Sequence, residues 1–239
     1  MARVAGVDGC KLGWIAVFRE LSSGAIFHRL VERAADLIEK EADLSVVAID
    51  VPIGLTNGDR RLCDTEARHF LGWPRSASVF SAPIRSVLSS ESWKEADASQ
   101  KHLCGRGMSQ QSWGIAQKIR EVDDLMRTSP EAMNLFWEAH PEVSFGAWRG
   151  EPMKFSKKSR PGRAERRRLI DDYFGPAADR VIKEVRDEHL VREVGHDDIL
   201  DAFAALWTAE RIAQGPGEYR VLPKSPSLDA FGLPMRIVY

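Results

Sequence analysis

The 239 residues carry 34 basic and 35 acidic side chains, a net charge of −1, and 44% hydrophobic residues. That balance excludes a chain drawn as a whole to nucleic acid or to an anionic membrane, so attraction to a charged partner must be local. Cys10, Cys63 and Cys104 are scattered and odd in number, which argues against a disulfide framework and for a reducing, cytoplasmic compartment, with no leader and no membrane-spanning run expected.

Residues 4–7 read as a buried strand and 14–18 as its hairpin partner, joined by a turn rich in glycine. Residues 25–31 extend the meander, and 32–40 have the spacing of a helix. Residues 45–51, Ser-Val-Val-Ala-Ile-Asp-Val, form the clearest buried strand. Asp8 ends the first strand and Asp50 the fourth. A strand that returns through a helix normally runs parallel to its neighbour, so both acids are expected at the carboxyl edge of one sheet, where α/β proteins bind ligands. Asp8 also suits a plain Asp-Gly turn.

The pattern predicts one domain over residues 1–239, interrupted by a mainly helical insertion at about 57–130. Within it, helices are expected at 59–71, from about 92, and at 110–126, with a loop at 75–83. A strand at 135–139 precedes His140-Pro141-Glu142. Residues 154–168 are strongly basic and could meet a nucleic-acid backbone. Residues 163–190 read as helix with a break at Gly175-Pro176, and 219–239 as short extended pieces. Trp73, Trp93, Trp113, Trp137, Trp148 and Trp207 are expected in the core.

The last long helix, through about residue 213, carries the most informative pattern. At 100° per residue, Asp198, Ala202, Ala205, Ala209 and Ile212 share one face, and Leu200, Phe203 and Trp207 lie nearly opposite. A helix apolar on two sides is sandwiched, with its alanine face close to the sheet. Acids at a helix start serve capping and the macrodipole, but Asp201 is one more than a cap needs. If Asp8, Asp50, Asp198 and Asp201 converge, their charges repel unless a cation joins them. Oxygen-only ligands suit Mg²⁺ or Mn²⁺, and paired ions of this kind support phosphodiester cleavage. His140 and His196 neighbour these acids and could position a water.

Six motifs carry a resemblance. They are residues 6–17 (Gly-Val-Asp-Gly-Cys-Lys-Leu-Gly-Trp-Ile-Ala-Val), 49–55 (Ile-Asp-Val-Pro-Ile-Gly-Leu), 61–68 (Arg-Leu-Cys-Asp-Thr-Glu-Ala-Arg), 78–83 (Ser-Val-Phe-Ser-Ala-Pro), 140–145 (His-Pro-Glu-Val-Ser-Phe) and 196–202 (His-Asp-Asp-Ile-Leu-Asp-Ala). The chain resembles a family of predicted nucleases with an RNase H-like fold, catalogued as a domain of unknown function and distantly similar to the RuvC and YqgF branch. The resemblance implies an α/β fold with a mixed five-stranded sheet of order 3-2-1-4-5, strand two antiparallel, flanked by helices. It implies metal ligation by Asp8, Asp198 and Asp201, with Asp50 as a further ligand and Glu142 assisting; Glu138 is the alternative to Glu142. The expected activity is two-metal-type hydrolysis of a nucleic acid, with Lys11, Arg61, Arg68, Arg75 and also Arg85 as candidates for phosphate contact. Two rivals stand beside it: a phosphotransferase of the actin and sugar-kinase type, and a non-catalytic binding protein on the same fold.

Overall fold

The computed structural model describes residues 2–41 and 43–239. The strands are β1 (Arg3–Cys10), β2 (Gly13–Glu20), β3 (Ile26–Val31), β4 (Leu44–Ile49), β5 (Phe136–Glu138), β6 (Val221–Leu228) and β7 (Pro234–Val238). The helices are α1 (Asp36–Glu39), α2 (Leu62–Leu71), α3 (Trp93–Cys104), α4 (Gln110–Gly114), α5 (Ala116–Thr128), α6 (Pro130–Leu135), α7 (Pro141–Arg149), α8 (Arg160–Phe174), α9 (Pro176–Glu188) and α10 (His196–Gln214). The main sheet has the order β3-β2-β1-β4-β5, with β2 antiparallel to both neighbours and β1, β4 and β5 parallel. This is the expected α/β sheet. The tail forms a separate two-stranded pair, β6-β7.

The pleat divides the core into two layers. Val4, Ile15, Val17, Val46 and Ala48 face α10, with α8 and α9 beyond it. Ala5, Val7, Trp14, Ala16, Val47 and Ile49 face the opposite layer, which includes α5 and α6. Alternation along a strand is what sorts them. The alanine stripe of α10 lies on β1 so closely that a Cβ built on Gly6 would sit 1.9 Å from the Leu206 nitrogen and 2.2 Å from the Ala202 oxygen. Phe203, on the other side, meets Phe174 of α8 with ring centroids 5.2 Å apart. The helix is sandwiched, as its two apolar faces require.

Several local expectations needed tertiary correction. The helix expected over 32–40 shrinks to α1, and the Ala34 N–H just before it donates to Glu121 Oε1 of α5 at 2.5 Å. The helix expected over 110–126 is broken at Ile115, where Gly114 and a β-branched residue meet and both favour helix weakly. Pro141 occupies the first turn of α7, a helix not expected from the sequence, where its missing N–H costs nothing. Trp73 is 87% exposed, not core. Among the described residues no helix is long and apolar enough to cross a membrane.

Candidate active site

Strand alternation places the first two acids. Val4, Gly6 and Asp8 share one face of β1, and Val46, Ala48 and Asp50 continue the same face of β4. Both series point toward α10. The Asp50 N–H donates to the Val7 carbonyl at 3.0 Å, so the two acids lie side by side where the parallel pairing of β1 with β4 ends, β1 itself running on to Cys10 beside β2. Helix α10 starts at the same edge. The turn between β1 and β2 is tied to the residues before it by the Lys11 N–H donating to the Glu193 carbonyl at 3.0 Å.

Asp198 accepts the Gly195 N–H at 2.7 Å and so caps its own helix. Asp201, one turn later, has no such duty and is 2% exposed. Its Oδ2 lies 2.5 Å from Lys157 Nζ, on the loop before α8. The four acids feel one another. Burial, and then the charges of Asp50, Asp201 and Asp198, raise the Asp8 carboxyl well above its usual range. Burial and then Asp201 push Asp50 up to about 8. Asp198 is raised by burial, against the Gly195 hydrogen bond. Asp201, joined by Asp8 and Asp50, holds the Lys157 ammonium well above its ordinary value. Like charges in a low dielectric disfavour joint ionisation, and Lys157 offsets one of the four.

A cleft of about 340 Å³ opens over Asp50 and Asp201. Arg75, Phe80, Gln111, His140, Glu142 and Lys158 contribute to its walls. Its roof is the segment after α2, which is pinned at several points. Arg68 Nε donates to the Val79 carbonyl and its NH2 to Ser81 Oγ, both at 2.9 Å. The Ala82 N–H donates to Asp64 Oδ2 at 3.0 Å, and Ser112 Oγ to the Ser81 carbonyl at 3.2 Å. Burial and the Lys157 charge push His140 down to about 4, so it is neutral at pH 7. Its Nδ1 and the Arg75 Nε are shielded from solvent and have no partner among the described residues.

The other expected site residues divide sharply. Arg61 is 2% exposed, so the expectation that it meets substrate is corrected. Its guanidinium is bound by Glu138 at 2.5 Å and Asp64 at 3.1 Å, and by the carbonyls of Ile53 and Gly54. Glu138 also accepts the Ile53 N–H at 2.7 Å, and the pleat turns it away from α10, with Phe136. Glu142 keeps a place on the cleft wall, where one oxygen pairs with Arg166 at 2.6 Å and the other, Oε1, has no partner among the described residues. Arg68 holds the roof, and Arg85 is committed to Asp123 and Asp229. His196 is exposed at the start of α10. Arg75 reaches the cleft, and Lys11 lies exposed in the turn at the same sheet edge.

Sequence reasoning missed the role of Lys157, although the basic stretch around it was visible. Of that stretch, Arg166 is buried on Glu142, while Arg167 pairs at the surface with Asp171 and Asp179 and Lys154, Lys158, Arg160 and Arg168 are exposed. Among the described residues, no three His, Cys, Asp or Glu side chains are close enough to make a ready metal site.

The family model described as "Protein of unknown function (DUF429)" matches residues 6–227, most of the chain, and the chain belongs to that family. No curated protein and no solved structure matches it.

Proposed function

We propose that this member of the family is a metal-dependent hydrolase that cleaves phosphodiester bonds in a nucleic acid, with an RNase H-like core. The observation that carries this reading is the convergence of Asp8, Asp50, Asp198 and Asp201 from three separate elements at the carboxyl edge of the sheet, with Lys157 paired to Asp201 and Lys118 near Asp8 and Asp198. A fold gains nothing from gathering four mutually repelling acids, two of them (Asp8 and Asp201) buried, so the cluster supports a cation-binding role. The sheet order supports kinship with RNase H-like nucleases, although fold alone does not carry function.

By chemistry the donor set suits a hard divalent ion, but among the described residues no three of these side chains are close enough to hold one without drawing together. The set is all oxygen, and Asp8 and Asp50 have raised pKa values that an added positive charge relieves. Asp8, Asp50, Asp198 and Asp201 would hold Mg²⁺ or Mn²⁺, which supplies the Lewis acidity that phosphodiester hydrolysis needs. Lys157 competes for Asp201 and keeps the cluster folded when no ion is there. Neutral His140, on the cleft wall, can orient a water. Arg75, Lys158 and Lys11 supply charge for phosphate oxygens.

Purified protein with Mn²⁺ should cut at least one of a set of single-stranded, branched and hybrid substrates. An Asp8→Ala variant that cuts equally well removes the reading. The Lys157–Asp201 pair favours one rival, a non-catalytic binding protein whose acids are neutralised from within. Calorimetry separates the two: the hydrolase binds Mn²⁺ at millimolar concentration or below, and the rival does not.

A further inference from the structure

We infer that the site takes a single-stranded end, with one nucleotide unit in the cleft and the neighbouring base stacked on Trp73, and excludes a blunt duplex. The inference rests on the reading of the acids as a phosphodiester site. Two independent observations carry it: the size of the cleft and the position of an exposed indole.

The space over Asp50 and Asp201 is about 340 Å³. That lies at the lower end of small-molecule pockets, about 300–1,000 Å³. It suits one nucleotide and is far too small for paired strands. The roof that limits it is fastened by Arg68, Asp64 and Ser112, so the enclosure is built in rather than loosely draped. The walls offer what one nucleotide needs: Arg75 and Lys158 for phosphate, Phe80 as an apolar surface, and Gln111 for a base edge.

Trp73 adjoins the cleft lining in sequence. Pro74 and Arg75, the next two residues, line the cleft, while Trp73 itself is 87% exposed. Among the described residues it makes no ring–ring or cation–π contact, unlike Trp14, Trp137, Trp148 and Trp207. An exposed, uncommitted indole two residues from a cleft-lining arginine can serve as a stacking platform for an unpaired base. A paired base keeps its faces inside the helix and cannot use it.

The test is a fluorescence anisotropy titration of the full chain, in EDTA and in Mn²⁺. The probes are a labelled single-stranded oligonucleotide, the blunt duplex of the same sequence, and that duplex with 3′ or 5′ overhangs. The single strand and one overhang polarity should bind at least tenfold more tightly than the blunt duplex. Because Trp73 is exposed, Trp73→Ala should leave the melting temperature unchanged. It should weaken single-strand binding by about five- to 150-fold, the range for one stacked base. A nucleoside monophosphate should compete, but more weakly by a similar factor. Equal binding of the blunt duplex, unchanged binding by Trp73→Ala, or no binding of any probe overturns the inference. The hydrolase reading is judged separately, by Mn²⁺-dependent turnover of bis(p-nitrophenyl) phosphate. Strand binding without turnover sustains this inference and sinks that reading; turnover with internal cutting of blunt duplex does the reverse.

Discussion

Lys157 Nζ sits 2.5 Å from Asp201 Oδ2, and Asp201 is 2% exposed. The lysine comes from a loop and the aspartate from the first turns of α10, so this one pair ties the basic segment to the acid cluster. Its removal strands a buried carboxylate. Lys157→Met should therefore destabilise the protein by about 1–3 kcal/mol, less than the loss for a fully buried pair because the lysine is partly exposed. Urea denaturation checks this. Mn²⁺ should restore more stability to the variant than to the wild type, since the ion takes over the lost charge.

The opposite sign is expected for Asp50→Asn. Burial and the Asp201 charge hold the Asp50 carboxyl up at about 8, so its ionised form is costly in the folded state. An amide removes that cost and should raise the melting temperature. The same change removes a metal ligand, and turnover should fall by more than the about 10–100-fold that outer partners of a metal site cost. A variant that is more stable and equally active would take Asp50 out of the site.

The pH dependence follows from the same group. An aspartate with a folded pKa of about 8 and an ordinary value of 3.8 binds an extra proton only when folded, between those two values. Stability from this source is full below the ordinary value and is lost as the pH rises toward 8. His140, pushed down to about 4, works the other way and costs stability as pH falls from 6.5 to 4. A divalent ion competes with the proton on the carboxylates. Mn²⁺ should thus raise the melting temperature more at pH 8 than at pH 5.5, and an equal shift at both would contradict the assignment of these acids.

Arg61 offers a test of a structural role. Its guanidinium is buried between Glu138 and Asp64. Arg61→Met should lower stability by about 3–5 kcal/mol, because it leaves buried carboxylates unpaired. Below the melting transition its affinity for single-stranded DNA should match the wild type. A large affinity loss without destabilisation would mean that the residue reaches the substrate after all.

Gly6 sets the distance between β1 and α10. A methyl group there would meet the backbone of Leu206 at 1.9 Å, and backbone cannot move aside as a side chain can. Gly6→Ala should cost about 3 kcal/mol or more, above the usual overpacking penalty, and should shift Asp198 and Asp201 away from Asp8. Loss of Mn²⁺-dependent stabilisation in whatever folded protein remains is the measurement.

The strand pattern and the two-sided apolar helix were legible residue by residue. The continuous apolar runs of 4–7 and 45–51 and the alanine stripe of 198–213 report local burial, and that pattern is written in sequence. So was the sheet edge to which Asp8 and Asp50 belong, because a parallel return through a helix leaves few arrangements. The fates of the charged residues were not legible. Arg61 and Arg75 look alike along the chain, yet one is locked under Ile53 and the other reaches the cleft. Lys157 is one of many basic residues in its stretch, and only the packing of α8 against α7 and α10 decides that it meets Asp201. Trp73 reads as core by composition and stands in solvent. Periodicity reports which way a residue faces within its own element, whereas the partner of a charge is set by long-range contact, and that information exists only once the chain is folded.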